Sequence, residues 1–146
     1  MSDNGEPLSD YIRVLIADDH QLVTDSISMY LSTASRMWVT TAATLDEAVS
    51  NLRAYGSFDV VLLDFDMPGM NGVDGLIAAI ELNDGKPVAV FSANATSRML
   101  QDVMNAGGMG IMSKASGMRA LANAIRFMHA GEFYVPPEFV RDRDNR

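Results

Sequence analysis

The sequence predicts one α/β domain in which strands and helices alternate as (βα)5, a doubly wound fold built on a five-stranded parallel sheet. Five short apolar runs of strand length are separated by segments whose apolar residues recur at helical spacing. The length of 146 residues suits a single domain with one sizeable core. Strict alternation favours parallel strands joined by right-handed crossovers, with helices on both faces of the sheet.

The predicted elements follow one another along the chain. The expected strands are IRVLIA (12–17), WVTTA (38–42), VVLL (60–63), PVAVF (87–91) and GIMS (110–113). Apolar residues at i, i+3 and i+4 predict helices over 23–34, 45–55, 73–80, 99–104 and 118–128.

Several helix ends carry sequence signals. Thr44 and Glu47 have the spacing of a capping box. Ser97 and Ser116 are candidate N-caps, and glycines at 107 and 131 are candidate helix stops. His20 is predicted to begin a helix and His129 to lie on the surface near a helix C-terminus.

The two ends of the chain are expected to lie outside the domain. Residues 1–11 are polar and acidic and predict a flexible N-terminal tail, and residues 12–131 form the domain. Residues 132–146 predict a linker or tail, because two prolines at 136 and 137 stop a helix and the last six residues mix charges without an apolar face.

Composition excludes several classes of function. The absence of cysteine excludes disulfides and thiol chemistry, and the net charge of −8 disfavours direct binding of nucleic acid. No signal peptide and no apolar run of membrane length is visible, so we expect a cytoplasmic protein without membrane contact.

Polar residues fall at the ends of four predicted strands. Asp18 and Asp19 follow the first strand, Asp64 follows the third, Ser92 the fourth and Lys114 the fifth. Because ligands gather at the carboxyl edge of an open parallel sheet, these side chains are expected to converge there.

Three converging carboxylates call for a cation, and Mg2+ prefers such oxygen ligands. The backbone carbonyl of Asp66, before a turn at Pro68, is the expected further ligand. Lys114 and Ser92 would hold the oxygens of a phosphoryl group. Asp64, at the end of the central strand, is the candidate nucleophile that forms an acyl phosphate.

The order of these motifs resembles the receiver domain of two-component response regulators. The resemblance covers residues 12–131 and includes the Met-Pro-Gly and Asn-Gly that follow Asp64. It implies a flavodoxin-like fold with strand order 2-1-3-4-5. It also implies that Asp64 accepts a phosphoryl group from a sensor histidine kinase or a small phosphodonor, and that the domain catalyses only its own phosphorylation and slow dephosphorylation.

The resemblance assigns a role to each site residue. Asp19 and Asp64 would bind Mg2+ directly together with the backbone carbonyl of Asp66, and Asp18 would act through water. Ser92 and Lys114 would contact the phosphoryl oxygens. Ser92 would also work as a switch with the residue at 111 on the fifth strand.

The sequence departs from the family at two positions. Ile111 stands where the family has an aromatic switch residue, and isoleucine cannot present a ring with a polar tip. Ala115 stands where many receivers have a proline after a cis peptide bond, and we predict a trans bond because a cis bond to a non-proline costs about 3 kcal/mol. The side chain of Asp66 is a candidate for tuning the lifetime of the acyl phosphate.

The end of the chain is similar to receivers of the LuxR/NarL type, in which a Gly-Glu-x-Tyr-x-x-Pro segment leads into a helix-turn-helix domain. This implies a possible homodimer, and DNA binding only through an output domain that the chain does not contain. The first and last helices and the α4–β5–α5 face are both used for dimerisation in the family.

Three alternatives stay open at this stage. The chain could be a receiver that stands alone or a receiver-like interaction module that no longer takes phosphate. The run LLDFDMPG also resembles the signature of haloacid-dehalogenase-type phosphatases, but that pattern requires Thr or Val at Pro68 and leaves Asp18 and Asp19 unexplained.

Overall fold

A computed structural model describes residues 11–137 and 139. Five strands alternate with five helices as predicted. Their order is β1 (Ile12–Ala17), α1 (Gln21–Ala34), β2 (Met37–Ala42), α2 (Leu45–Tyr55), β3 (Val60–Asp64), α3 (Val73–Leu82), β4 (Val88–Ser92), α4 (Ser97–Ala106), β5 (Ile111–Ser113) and α5 (Met118–His129). A 3-10 turn, Lys114–Ser116, separates β5 from α5.

The strands form one parallel sheet in the order β2-β1-β3-β4-β5, which confirms the predicted fold and strand order. The strand β3 is central, and all five of its residues are buried. Because parallel strands run in one direction, their carboxyl ends lie along a common edge. The polar residues that follow the apolar runs lie at this edge.

The sheet separates two apolar cores, because successive side chains of a strand point to opposite faces. One core contains Leu15 and Leu63 from the sheet together with Leu76 of α3. The other contains Ile16 and Leu62 together with residues of α1 and α5. The cover on both faces explains why β1, β3 and β4 are nearly continuous apolar runs.

Some predicted helix ends are correct and others are wrong. Thr44 caps α2 by accepting a hydrogen bond from the backbone N–H of Glu47 at 3.1 Å, as predicted. The N-cap of α4 is Thr96 rather than Ser97, because Thr96 accepts the N–H of Met99. Ser116 does not cap α5, because it belongs to the 3-10 turn and Gly117 occupies the cap position.

Some members of the predicted apolar stripes lie at the surface. Tyr55, Ile77 and Met104 are 66%, 39% and 48% exposed. Tyr55 and Met104 stand at helical spacing from the buried residues Leu52 and Leu100, at the margins of their stripes. In the part of the chain that the structure describes, no helix is both long and apolar enough to cross a lipid bilayer.

The segment after α5 contacts the free edge of the sheet. The N–H of Tyr134 donates to the carbonyl of Met109 at 3.0 Å, and the N–H of Ile111 donates to the carbonyl of Tyr134 at 3.3 Å. Tyr134 thereby forms an isolated parallel bridge with Gly110. Phe139 is buried in the core that contains Ile111. The first part of the predicted linker therefore packs against β5.

Candidate functional site

The loops after β1 and β3 bring two buried carboxylates together. The N–H of Asp18 donates to the carbonyl of Ala42 at 2.9 Å, which extends the pairing of β1 with β2 by one residue. Asp64 is the last residue of β3 and pairs in register with Phe91. Both aspartates are 1% exposed. The strands thus hold two carboxylates away from solvent at the carboxyl edge of the sheet.

Lys114 links these carboxylates. Its Nζ atom lies 2.9 Å from Oδ2 of Asp18 and 3.0 Å from Oδ2 of Asp64, and it donates a hydrogen bond to Asp64. The contact with Asp18 is an ion pair without hydrogen-bond geometry, so the buried Oδ2 of Asp18 accepts no hydrogen bond. The ammonium also lies 5.1 Å from the centre of the Phe91 ring.

Burial and pairing act in opposite directions on these groups. Burial raises the pKa of Asp18, but the hydrogen bond from the backbone N–H of His20 and the close ion pair with Lys114 outweigh it and leave that pKa below the ordinary value. Burial raises the pKa of Asp64, and its hydrogen bonds from Asp66 and Lys114 do not offset this effect. Burial lowers the pKa of Lys114, but the two carboxylates raise it above its usual value.

Asp19 and Asp66 lie at the solvent side of the site. The side chain of Asp19 is 40% exposed. Asp66 is exposed, and its N–H donates to Oδ1 of Asp64 at 3.1 Å. This bond fixes the turn after β3 and leaves Oδ2 of Asp64 to Lys114.

Ser92 and Ile111 lie deeper in the sheet. Ser92 ends β4 and is completely buried, and its Oγ accepts the N–H of Asn94 at 3.1 Å. Ile111 begins β5 and is also completely buried, within the core that includes Val103 of α4. The peptide bond between Lys114 and Ala115 is trans, as predicted, since the described residues contain no cis bond.

His20 is a member of the site that sequence reasoning missed. It begins α1, as predicted, but its Nδ1 lies 2.8 Å from Oδ1 of Asp18 and 3.4 Å from Oδ1 of Asp19. Its hydrogen bond with Asp18 and the charge of Asp18 raise the pKa of His20. The sequence signal was adjacency to two aspartates. His129, by contrast, is exposed near the end of α5, as predicted.

The arrangement suits a divalent cation. Asp18, Asp19, His20 and Asp64 each offer one ligand atom, and these atoms all lie within 4.8 Å of one another. Lys114 provides only one positive charge among them, and the buried Oδ2 of Asp18 has no hydrogen bond. Carboxylate oxygens are the ligands that Mg2+ prefers, so the residues present fit this ion.

The fold and the site together define a class of protein: doubly wound α/β domains with an acidic cluster and a lysine at the carboxyl edge of the sheet. Residues 14–126 match the family described as response regulator receiver domain. The chain therefore belongs to this family. Receiver domains of response regulators act as phosphorylation-dependent switches.

Individual relatives narrow this assignment. The chain is 32% identical over 130 residues to the "Glycerol metabolism activator" of Pseudomonas putida, and the match covers 88% of this chain and 59% of that protein. It is 30% identical over 130 residues to "Response regulator GacA" of Pseudomonas aeruginosa PAO1, covering 89% of this chain and 61% of the relative. The chain thus spans about three fifths of the length of these relatives.

A similar solved structure supports the same family assignment. The chain superimposes on a LuxR family DNA-binding response regulator from Silicibacter pomeroyi with a TM-score of 0.73 and 26% identity, covering 87% of this chain and 98% of that chain. The predicted resemblance to receivers of the LuxR/NarL type is confirmed.

Proposed function

We propose that Asp64 is the residue that accepts a phosphoryl group. One observation carries the proposal: a carboxylate with 1% exposure ends the central strand and is held between the N–H of Asp66 and the ammonium of Lys114. Burying a charge is energetically unfavourable unless the charge is paired or coordinates a metal ion. Burial raises the pKa of Asp64, so the hydrogen bonds from Asp66 and Lys114 do not fully offset the cost of burying its charge.

Mg2+ is the proposed cofactor. Asp19, Asp64 and the backbone carbonyl of Asp66 would hold the ion directly, and Asp18 would hold it through water. The convergence of the carboxylates supports this ligand set. When bound, the ion supplies positive charge next to the oxygens of the incoming phosphoryl group.

The proposed reaction is transfer to a carboxylate. An oxygen of Asp64 attacks the phosphorus, an acyl phosphate forms, and the bond from phosphorus to the donor breaks. The leaving imidazole of a kinase histidine, or acetate from acetyl phosphate, carries away the electron pair and takes up a proton from water if it needs one. Lys114 neutralises the phosphoryl oxygens, and the domain catalyses only this transfer and the later hydrolysis by water.

The proposed switch begins at Ser92. Its Oγ atom now accepts a hydrogen bond from the N–H of Asn94 at 3.1 Å. The hydroxyl would give up this bond and move to the phosphoryl group. Ile111 would then shift with β5, without the ring movement typical of the family. The exposed side chain of Asp66 would tune the lifetime of the acyl phosphate by its position beside the site.

Acetyl phosphate with Mg2+ tests this function. We expect intact mass to rise by one phosphoryl group on wild type, with an adduct that is labile in base, and no adduct on Asp64→Asn. Exposed Asp102 provides the matched control, since Asp102→Asn changes the same charge on the surface of α4 and should react like wild type. Unmodified wild type would favour the alternative of a phosphorylation-independent interaction module, and rapid turnover would favour a phosphatase.

The proposed partners follow from the family. A sensor histidine kinase would supply the phosphoryl group in the cytoplasm. Residues 12–131 would form the receiver unit, and the segment 132–146 would lead to an output domain. The name of the Silicibacter pomeroyi regulator includes DNA binding, and we propose that such an output domain would provide this function here.

A homodimer through α1 and α5 is the proposed output of the receiver itself. Leu22 and Met29 of α1 are 82% and 70% exposed, and Phe127 of α5 is 47% exposed. A cavity of about 370 Å³ lies between these helices and reaches Lys114. The alternative face includes the edge of β5, where Tyr134 is already paired with Gly110. Sedimentation of phosphorylated wild type and Leu22→Glu tests this arrangement, because only wild type should dimerise.

A further inference from the structure

His20 brings a nitrogen atom into a site otherwise made of oxygen atoms. Its imidazole begins α1 and is 63% exposed, so it can rotate without disturbing a core. The Nδ1 atom is 2.8 Å from Oδ1 of Asp18, 3.4 Å from Oδ1 of Asp19 and 3.9 Å from Oδ2 of Asp64. It is thus the only nitrogen among the four side-chain ligand atoms that converge in the described part of the chain.

These separations match one coordination sphere. Around an octahedral ion with bonds of about 2.1 Å, adjacent ligand atoms lie about 3.0 Å apart and opposite ones about 4.2 Å apart. The distance from Nδ1 to Asp19 falls near the first value and the distance to Asp64 falls near the second, whereas the 2.8 Å contact with Asp18 is a hydrogen bond. Nδ1 can therefore serve as a ligand in the same sphere as the carboxylates.

A second observation indicates that the site can accommodate a further positive charge. Oδ2 of Asp18 is buried and accepts no hydrogen bond, although Lys114 lies 2.9 Å away. The existing cation therefore does not complete the coordination of this carboxylate. A water molecule on a metal ion at the cluster would donate to this oxygen, and the imidazole would bind the ion directly.

The type of donor decides which ions gain from it. Mg2+ is a hard ion that prefers oxygen, whereas imidazole suits Ni2+ and Cu2+, and affinity for a given site rises from Mn2+ through Co2+ to Ni2+. We propose that His20 is a direct metal ligand, so that the site binds first-row transition ions such as Ni2+ with a preference over Mg2+ that the carboxylates alone would not give. This inference rests on the proposed metal site and concerns its ion selectivity.

Metal affinities of the untagged 146-residue chain test the inference. Calorimetric titrations with Ni2+ and with Mg2+ at pH 8 should be run on wild type, His20→Asn and His129→Asn. His129 is exposed at the end of α5 and controls for general loss of an imidazole. We expect His20→Asn to weaken Ni2+ at least tenfold while Mg2+ changes less than threefold, and His129→Asn to change neither.

A spectroscopic measurement distinguishes direct binding from an indirect effect. Electron spin echo modulation of bound Mn2+ should contain a coupling to 14N in wild type that disappears in His20→Asn. Equal weakening of Ni2+ and Mg2+ without loss of a nitrogen coupling would mean that His20 only orients Asp18, and the inference would be wrong. An unchanged ratio of affinities would also overturn it.

The proposed function has a separate outcome. Phosphorylation by acetyl phosphate and Mg2+ is measured on wild type and on Asp64→Asn, without any change at His20. If wild type takes up the phosphoryl group, Asp64→Asn does not, and His20→Asn keeps the affinity ratio of wild type, the function stands and the nitrogen ligand is rejected. If wild type binds no divalent ion at all, both proposals fail together.

Discussion

The burial of the charged carboxylate of Asp64 reduces the stability of the fold, but it places this group in the site. Asp64 is buried, and Lys114 also contacts Asp18, so one ammonium is shared by two carboxylates. The pKa of Asp64 lies above its ordinary value of 3.8, while that of Asp18 lies below. Binding sites commonly store destabilising charge in this way.

Asp64→Asn should stabilise the metal-free protein by about 1 kcal/mol. Because the folded pKa of Asp64 is raised, folding favours the protonated carboxyl, and the ionised form reduces stability at neutral pH. The gain should be full at neutral pH and should shrink as the pH falls towards the range where the wild-type carboxyl takes up its proton. Urea unfolding in EDTA at several pH values measures it. Asp102→Asn should show no such gain, and a loss of stability in Asp64→Asn would contradict the argument.

The ammonium of Lys114 lies beside the carboxylates that would bind a metal ion, and its positive charge repels that ion. Lys114→Gln should tighten Mg2+ binding about fivefold, corresponding to roughly 1 kcal/mol of relieved repulsion. The variant should nevertheless be phosphorylated more slowly, because the ammonium no longer neutralises the phosphoryl oxygens. Calorimetry and mass spectrometry measure the two effects. Lys86 is exposed after α3, so Lys86→Gln should leave both quantities unchanged.

At the scale of elements, the bridge between Tyr134 and Gly110 connects the segment after α5 to the residue that precedes β5. A Cβ atom added at Gly110 would lie 2.8 Å from the backbone oxygen of Tyr134. The backbone of Gly110 does not require a glycine for its φ angle, so the close approach explains this residue. Two hydrogen bonds hold the segment after α5 in place.

Gly110→Ala should separate this segment from β5 and cost about 2 kcal/mol, because the added carbon meets backbone and not a flexible side chain. Hydrogen exchange should become faster at the amides of Ile111 and Tyr134, which donate across the bridge. Tyr134→Ala is the matched control, since it keeps the backbone pairing and should preserve slow exchange at Ile111. Unchanged protection in Gly110→Ala would disprove the proposed role of the close approach.

At the scale of the whole molecule, a net charge of −8 adds to the repulsion within the acidic cluster. A divalent cation that binds only the folded chain stabilises it by mass action. Mg2+ at one hundred times its dissociation constant should contribute about 2.7 kcal/mol. The expected rise in melting temperature is roughly 6 to 10 °C for a domain of this size.

Thermal unfolding with Mg2+ and with EDTA checks this prediction. The rise should be much smaller in Asp19→Asn, which removes an exposed carboxylate of the cluster without creating a cavity. A NaCl series at matched ionic strength separates general screening from binding. An equal response of wild type and Asp19→Asn would show that Mg2+ acts elsewhere on the surface.

The sequence predicted the elements well because their signals are local. Strand β1 and helix α2 have the predicted bounds, β3 extends by one residue to include Asp64, and β4 is shifted by one residue so that it ends at Ser92. Helix caps were harder, since adjacent Thr96 and Ser97 have equivalent hydroxyls and only the backbone decides which one caps α4. Site membership was largely predictable from strand ends, although the roles of these residues stay predictions.

The sequence by itself determined the alternation of elements, their apolar faces and the edge at which the carboxylates gather, because periodicity and turn chemistry act over a few residues. Only the tertiary structure decided contacts between distant segments. It put Lys114 against Asp18 and Asp64, and Tyr134 against Gly110. It also let the side chain of Asn83 accept a hydrogen bond from the N–H of Phe58 at 2.8 Å. Such contacts depend on how helices and loops pack against the sheet, and a local sequence pattern does not indicate which distant segments will meet.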